Sequence, residues 1–273
     1  MTVLSHLAPI HIGAVTLAVR DLAGVSDFYE KALGLSLISA AGPERALGAG
    51  GVTLLRLIED KSARMPTRNE AGLFHTAFLL PERADLARWT AHAIAANIQV
   101  TGASDHLVSE ALYLDDPEGN GIEIYRDRAP CEWTRAGSGI KMATEALDFP
   151  ALMATIEGRD QSWKVAPEGM RVGHIHLKVG DTNAAEAFYR DELGFDLMTE
   201  YPGASFLASG GYHHHIGANV WMSRNAAKRE PSLGLASFEL VADAAHHAKL
   251  AAKLAATSAD PWGNRIVLKE KTA

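Results

Sequence analysis

The sequence predicts an α+β protein built from tandem βαβββ units, and three observations lead to that prediction. The chain repeats itself once along its length, and each half contains two related units. Each unit opens with an apolar strand pattern, followed in most of them by an amphipathic helix. Of the 273 residues, 47% are hydrophobic and 22% are charged. This length allows two domains of ordinary size, and this composition is that of a folded protein.

The first repeat lies at the start of each half. The segment GAVTLAVRDLAGVSDFYEKALGL from Gly13 aligns without a gap with GHIHLKVGDTNAAEAFYRDELGF from Gly173. In both copies an alternating apolar run predicts a strand, and Asp21 or Asp181 is typical of a helix N-cap. A Phe-Tyr pair lies on the helix, and Leu-Gly is a suitable helix end. We therefore expect a strand followed by a capped helix in both places.

A second pair of matches divides each half into two units. GLFHTAFLL from Gly72 matches GLASFELVA from Gly234, and DPEGNGIEI from Asp116 matches DPWGNRIVL from Asp260. The DPxGN segments predict polar turns that lead into a final strand, and alternating runs between the motifs predict further strands. The matches define four units, numbered one to four, near residues 9–60, 70–128, 171–224 and 233–270. Unit four is shorter than the others.

The repeats predict the domain organisation. Units one and two form an N-terminal domain of residues 1–130, and units three and four form a C-terminal domain of residues 171–273. Residues 131–170 between them have mixed polarity with Pro and Gly, which predicts a connecting arm with one short helix.

Charge, hydropathy and cysteine content restrict the partners. A net charge of −7 argues against nucleic acid and anionic membranes. No apolar stretch approaches the ~18 residues of a membrane span and the first residues lack a signal-peptide pattern, so we expect a cytoplasmic protein. The single cysteine, Cys131, excludes an internal disulfide and a thiolate metal cluster. Any metal must be bound by histidine and carboxylate, and twelve histidines are present.

Taken together, these motifs resemble the vicinal oxygen chelate superfamily, which contains glyoxalases, bleomycin resistance proteins and extradiol dioxygenases. The shared pattern is paired βαβββ units that open with a strand, Asp, FY and LG and close with DPxGN and a strand. SDHLVSEALYLDDPEGNGIEIYRDR from Ser104 and GGYHHHIGANVW from Gly210 further resemble catechol 2,3-dioxygenases of the CatE type. The resemblance implies the vicinal oxygen chelate fold, with half-barrel or barrel sites.

The resemblance places metal ligands on the first and last strands of the units. At these positions unit two has His75 and Glu123, and unit three has His174. Units one and four have residues there that cannot bind a metal: Ala14, Ser237 and Val267. The three ligand candidates converge if unit two faces unit three and unit one faces unit four, so we expect this crossed pairing. Two histidines and one carboxylate form the facial triad of non-haem Fe(II). Mn(II) or another divalent metal is the alternative.

The histidine tract supplies the candidate acid–base residue. Alignment of HHIGA with the HHxxA strand of extradiol enzymes implies that His214 has this role. Because we expect the tract to lie inside a strand, successive side chains should alternate faces. A register slip of one residue would therefore substitute His213 and His215, and one of these could even be a fourth ligand, as in glyoxalases.

Three further residues are expected at the site. Tyr113 lies ten residues before Glu123, which is the spacing of the family's active-site tyrosine. A phenol there could bond a metal-bound substrate oxygen. His106 and His176 are expected to line the substrate pocket, since His106 lies close to the family's substrate-binding histidine and His176 shares a strand face with His174.

The resemblance implies an extradiol ring-cleaving dioxygenase that acts on a catechol-type diol with O2 at a non-haem Fe(II) site. His214 would take a proton from the catechol and return a proton later. A glyoxalase-like lyase or isomerase is a second hypothesis, although such sites usually add a second carboxylate. A non-enzymatic protein that sequesters a small aromatic molecule or drug is a third hypothesis. The expected partners are therefore a small aromatic diol and O2, with no nucleic acid or membrane, and a homo-oligomer is compatible with the family.

Overall fold

The four sequence units are visible as four structural units in the computed structural model, which describes residues 5–137, 139–255 and 257–271. Unit one forms one helix and four strands: β1 (Ile10–Val19), α1 (Leu22–Leu33), β2 (Ser36–Ala41), β3 (Glu44–Ala49) and β4 (Val52–Glu59). The predicted caps are confirmed. The Asp21 side chain accepts a hydrogen bond from the Gly24 N–H, and Gly34 ends α1 with a left-handed φ of 73°, which glycine adopts without strain.

Unit two repeats the order of unit one. Its elements are β5 (Gly72–Leu80), α2 (Arg83–Ala95), β6 (Gly102–Asp105), β7 (Ser109–Asp115) and β8 (Gly121–Asp127). Helix α2 packs against α1, since the buried Trp89 donates its indole N–H to the Ala32 carbonyl at 2.9 Å.

The connecting arm contains a two-stranded hairpin as well as the predicted short helix. Its elements are β9 (Arg135–Ala136), β10 (Gly139–Ile140) and α3 (Phe149–Met153), and a single 3-10 turn, Ala154–Ile156, extends the helix. Trp133 and Ile140 of the arm are buried in a small apolar cluster with Tyr212 of unit three. The arm therefore packs against unit three.

Unit three contains β11 (Arg171–Lys178), α4 (Thr182–Glu186), β12 (Asp196–Tyr201), β13 (Ala204–Ala208) and β14 (Ile216–Asn219). A π-helical turn, Ala187–Glu192, continues α4.

One expectation about unit three was wrong. The histidine tract 213–215 does not lie inside a strand, because β14 begins only at Ile216 and the tract forms the bend that precedes it.

Unit four is shortened, as predicted. It forms β15 (Gly234–Ala242), α5 (Ala244–Leu254) and β16 (Ile266–Glu270), with two strands where the other units have four. Among the described residues, no helix is both long and apolar enough to cross a membrane.

The crossed pairing of units is confirmed by the two large sheets. Units two and three form an eight-stranded sheet in the order β12-β13-β14-β11-β5-β8-β7-β6. Units four and one form a six-stranded sheet in the order β16-β15-β1-β4-β3-β2. The first strands of units two and three, β5 and β11, are antiparallel neighbours at the centre of the larger sheet. Each sheet therefore joins one unit from each half of the sequence.

The Tyr of each Phe-Tyr pair makes the same contact in both halves. Tyr29 on α1 donates a hydrogen bond to Asp116 in the DPEGN turn of unit two, with an O–O distance of 3.3 Å. Tyr189 donates to Asp260 in the DPWGN turn of unit four at 3.1 Å. Both tyrosines are fully buried, so the Phe-Tyr motif links the two units of each half.

Candidate metal centre

Three neighbouring strands carry the predicted ligands. His75 lies on β5, Glu123 on β8 and His174 on β11, and β5 pairs with both of the other strands. Along β5 the side chains alternate, so that Phe78 enters the main core while Ala77 packs in a small cluster with Tyr125. The ligand candidates therefore converge on one face of the eight-stranded sheet.

The three side chains form a buried group with the geometry of a metal site. Glu123 Oε2 lies 2.9 Å from His75 Nε2 and 3.1 Å from His174 Nε2, and one ligand atom from each residue lies within 4.8 Å of the others. His75 Nε2 nevertheless makes no hydrogen bond among the described residues, because it is close to the carboxylate without being aligned as a donor. Glu123 is 3% exposed. A buried carboxylate that faces two imidazoles in this way fits a shared divalent cation.

The electrostatics favour the forms that bind metal. Burial lowers the pKa of His174 to about 4, so this imidazole is neutral at pH 7. Burial alone would raise the pKa of Glu123, but the facing imidazoles, His174 first, outweigh it and hold this pKa well below its ordinary value. Neutral imidazole and ionised carboxylate are the states that a metal ion requires.

The strand register shows that the four units have equivalent ligand positions. In unit two, Ala77, two residues after His75, pairs with Glu123 on the last strand. In unit three, His176, two residues after His174, pairs with Gly217 on the last strand. Gly217 therefore occupies the position that Glu123 has in unit two. A Cβ at Gly217 would lie 2.8 Å from the His176 ring, so the glycine gives that imidazole its space.

At the equivalent positions of the six-stranded sheet, the side chains do not form a metal site. The first-strand and last-strand positions there are Ala14 with Arg56 in unit one and Ser237 with Val267 in unit four. Among the described residues, the group of histidine and acidic side chains close enough to hold a metal lies in the larger sheet.

Tyr113 and His106 lie together beside the ligands. The Tyr113 hydroxyl is 2.6 Å from His106 Nε2, and the Tyr113 ring lies 5.6 Å from the His75 ring. His106 Nδ1 lies 2.7 Å from the Ala143 carbonyl of the arm. Because a carbonyl only accepts, Nδ1 carries the proton, and Nε2 of the neutral ring accepts from the tyrosine. The arm thus orients His106, which in turn orients Tyr113.

His214 is the member of the histidine tract that faces the candidate centre. Its ring centroid lies 4.0 Å from that of His174, and it lines the same cavity as the three ligand candidates. His176 also lines this cavity, 4.8 Å from the His75 ring. His215 instead bonds Ser5 and Ser209 backbone atoms away from the cavity. Burial lowers the pKa of His176 and of His214 well below the ordinary value.

The sequence analysis missed Asp127 near the site and placed its partner His213 in a strand, where the structure has a bend. Asp127 lies at the end of β8, and its Oδ1 is 2.7 Å from His213 Nε2. His213 Nδ1 is in turn 2.7 Å from His214 Nδ1. Strand alternation offers one signal that could have found Asp127, since it lies four residues after Glu123 on the same strand face. The bend that brings His213 to it had no such signal.

The cavity has a volume of about 520 Å³ and reaches from the ligand candidates to the surface. Its walls are mainly apolar and aromatic, and its rim includes the half-exposed Tyr201 and Trp221. Met142, Ala143 and Thr144 of the arm form part of one wall. Both size and composition are those of a small-molecule site.

Comparison with known proteins agrees with this architecture. The family model for the glyoxalase/bleomycin resistance protein/dioxygenase superfamily matches residues 11–124 and 171–258. A catechol-2,3-dioxygenase of Bacillus subtilis strain 168 is 42% identical over 221 residues, covering 79% of this chain and 76% of that protein.

Solved structures share the fold at low sequence identity. A Bacillus subtilis strain 168 structure described as a dioxygenase has a TM-score of 0.59 at 16% identity, covering 90% of this chain and 74% of that one. Glyoxalase I from Zea mays has a TM-score of 0.58 at 13% identity, covering 97% and 94%. The predicted vicinal oxygen chelate fold is thereby confirmed. The chain belongs to the glyoxalase/bleomycin resistance protein/dioxygenase superfamily.

Proposed function

We propose that this protein is an extradiol ring-cleaving dioxygenase that opens a catechol-type aromatic diol with O2 at a non-haem Fe(II) held by His75, His174 and Glu123. Its similarity to the Bacillus catechol-2,3-dioxygenase supports a dioxygenase enzyme. The metal, the substrate and the roles of individual residues are our inference from the geometry.

One observation carries the proposal: three of the four equivalent ligand positions in the larger sheet bear metal-binding side chains, and the fourth is Gly217. A centre with two histidines and one carboxylate leaves coordination positions open. Such open positions are what a non-haem Fe(II) enzyme needs in order to hold a chelating diol and O2 together. A four-ligand site built on these strand positions would need a side chain where Gly217 stands.

The chain's own residues suit this reaction. When bound, Fe(II) supplies the redox chemistry by which O2 reacts with an electron-rich diol. His214 lies beside the centre, and we assign it the role of moving the diol proton. Tyr113 and His106 would orient a diol oxygen, and His176, which also lines the cavity, would contact the aromatic ring of the diol. Phe74 and Phe206 line the cavity and would exclude water.

The size of the cavity bears on the substrate. About 520 Å³ lies within the ~300–1,000 Å³ range of pockets for drug-sized ligands, which are larger than unsubstituted catechol. Apolar residues such as Leu73 and Met142 line it as well. We therefore expect substituted catechols with an apolar group to be better substrates than catechol itself.

A glyoxalase-like lyase or isomerase is the alternative that the shared fold allows, since glyoxalase I has the same architecture. Gly217 argues against it, because the position that would supply a second carboxylate has no side chain. A non-enzymatic binding protein is disfavoured for a different reason. It would have no use for a buried carboxylate placed between two imidazoles.

Anaerobic reconstitution tests the proposal. The protein is loaded with Fe(II), mixed with catechol, 3-methylcatechol or 4-methylcatechol, and then exposed to air. We expect a yellow ring-opened product that forms with Fe(II) and not with Ni(II). Isomerisation of a methylglyoxal hemithioacetal by the Ni(II)-loaded protein, with no ring cleavage by the Fe(II)-loaded one, would instead establish the glyoxalase-like alternative.

A further inference from the structure

A chain of three hydrogen-bonded side chains, of which the two histidines are buried, runs from the end of β8 to the cavity. Asp127 Oδ1 lies 2.7 Å from His213 Nε2, and His213 Nδ1 lies 2.7 Å from His214 Nδ1. His213 is fully buried, and Trp133 of the arm packs its ring 5.3 Å from the His213 ring. Water is therefore kept away from the middle of this chain.

The carboxylate at one end determines where the protons lie. An ionised carboxylate only accepts hydrogen bonds, so His213 Nε2 must be the donor to Asp127. Neutral His213 then has an unprotonated Nδ1, which accepts a hydrogen bond from the Nδ1–H of His214. The remaining ring nitrogen of neutral His214, Nε2, is left with a free lone pair. Among the described residues, no side chain or backbone group bonds that nitrogen, and His214 lines the cavity.

Two tyrosines hold the carboxylate in position. The Tyr212 hydroxyl donates to Asp127 Oδ1 at 3.2 Å, and the Tyr125 and Tyr212 hydroxyls lie 2.9 Å apart. Every second side chain of a strand points to the same face, so one face of β8 carries Glu123, Tyr125 and Asp127. The strand that carries the carboxylate ligand candidate thus also anchors the hydrogen-bonded chain.

We propose that Asp127 and His213 are positioning residues that hold His214 in the tautomer with an unprotonated Nε2 facing the substrate. This inference rests on the proposed function, in which His214 takes the diol proton. The proton passes from the diol oxygen to His214 Nε2. The hydrogen bond from His214 Nδ1–H to His213, with Asp127 behind it, stabilises the imidazolium that His214 then becomes. His214 later returns the proton from Nε2.

The tautomers can be measured in the metal-free protein. With ¹⁵N-labelled histidine, long-range ¹⁵N–¹H spectra should show His214 as the Nδ1–H tautomer and His213 as the Nε2–H tautomer. In Asp127→Asn the new amide can donate to His213, and we expect both histidines to change tautomer. The matched control is Asp243→Asn, which alters the exposed Asp243–His246 pair and should leave both signals unchanged. His214 in the Nε2–H tautomer in the wild type would overturn the proposal.

Kinetics of the Fe(II)-loaded enzyme give the second readout. Asp127→Asn should lower kcat by roughly 10²- to 10⁴-fold, as wrong-tautomer substitutions do, with KM and bound iron little changed. His213→Gln can still donate to Asp127 and accept from His214, so it should retain more activity than His213→Phe. Equal activity of the two His213 variants, or an unchanged kcat in Asp127→Asn, would contradict the proposal.

If the wild-type protein loaded with Fe(II) cleaves no diol, the proposed function is wrong. The spectra of the metal-free protein still decide whether Asp127 and His213 set the tautomer of His214.

Discussion

Glu123 is a buried carboxylate whose neighbours do not satisfy it fully. His174 donates to its Oε2, whereas His75 Nε2 lies 2.9 Å away without the alignment of a hydrogen bond. Burying an ionised carboxylate is costly unless a cation or several donors compensate for it. A divalent cation between the three side chains would supply that compensation.

Replacing this carboxylate should remove the metal. Substitution of a residue that hydrogen-bonds a metal ligand typically costs ~10- to 100-fold in metal affinity. We expect Glu123→Ala to cost more, because it would remove a ligand itself. The matched control is Glu239→Ala on β15 of the other sheet, where the carboxylate accepts a hydrogen bond from the Ala14 N–H. Iron per folded protein is measured after anaerobic loading and gel filtration. Equal iron in the two variants would refute the ligand assignment.

His214 should be required for turnover and not for metal binding. We expect His214→Phe to retain iron and to show the absorption change of a bound catecholate. Its kcat should fall by ~10²- to 10⁴-fold, which is the usual contribution of general acid–base catalysis. Stopped-flow absorption and iron content check this prediction. Loss of iron together with activity would make His214 a ligand and favour a four-ligand site.

The sequence could predict the ligand candidates and not the residues behind them. His75, His174 and Glu123 lie on strands that the internal repeat identifies, at the positions where the family resemblance places metal ligands. His213 lies in a bend, where no period fixes the direction of a side chain. We expected it to point away from His214 because we placed it in a strand. Its contact with His214 follows from the irregular backbone before β14.

At the level of the strands, the pairing of β11 with β14 explains the open side of the candidate centre. His176 pairs with Gly217, and a Cβ at that glycine would lie 2.8 Å from the His176 ring. Because Gly217 has no side chain, the His176 side chain on β11 can project towards His75. This relation became visible only with the register, since the sequence analysis used the HHIGA segment for its histidines and gave Gly217 no role.

Gly217→Ala tests this packing. We expect it to lower the free energy of unfolding by about 1–3 kcal/mol, which is the usual cost of overpacking. In a His176→Ala background the space is free, so Gly217→Ala should then have little effect. Urea unfolding of the four proteins gives the coupling. The same destabilisation in both backgrounds would show that the glycine is needed for another reason.

At the level of the whole molecule, the two sheets join the halves of the chain crosswise. The crossed pairing could be predicted because ligand candidates occur in units two and three, and the topology confirms it. The hairpin β9–β10 and the packing of Trp133 and Ile140 against Tyr212 could not be predicted. The arm has no repeat or period, and its position depends on contacts distant in sequence. The domain limits 1–130, 131–170 and 171–273 and the cytoplasmic location stay predictions.

Buried histidines make the stability of the molecule depend on pH. Burial lowers the pKa of His215 from 6.5 to about 3, so the folded state holds this imidazole neutral. Its contribution to stability is fully present above pH 6.5 and is lost as pH falls from there towards about 3. At pH 5 we expect this residue alone to have lowered the free energy of unfolding by roughly 2 kcal/mol relative to neutral pH.

His215→Gln keeps a side chain that can bond the Ser5 carbonyl and the Ser209 N–H, and it does not titrate. Denaturant unfolding of the metal-free protein at pH 7.5 and pH 5 should therefore show a smaller loss for this variant than for the wild type. Parallel pH dependence in the two proteins would mean that His215 is not held neutral by the fold.

The most direct test of the account is oxygen uptake by the Fe(II)-loaded protein with a substituted catechol. We predict that one O2 is consumed for each ring-opened product, that uptake stops in Glu123→Ala, and that Glu239→Ala consumes O2 like the wild type. A folded, iron-loaded protein that binds the catechol and consumes no O2 would contradict the account.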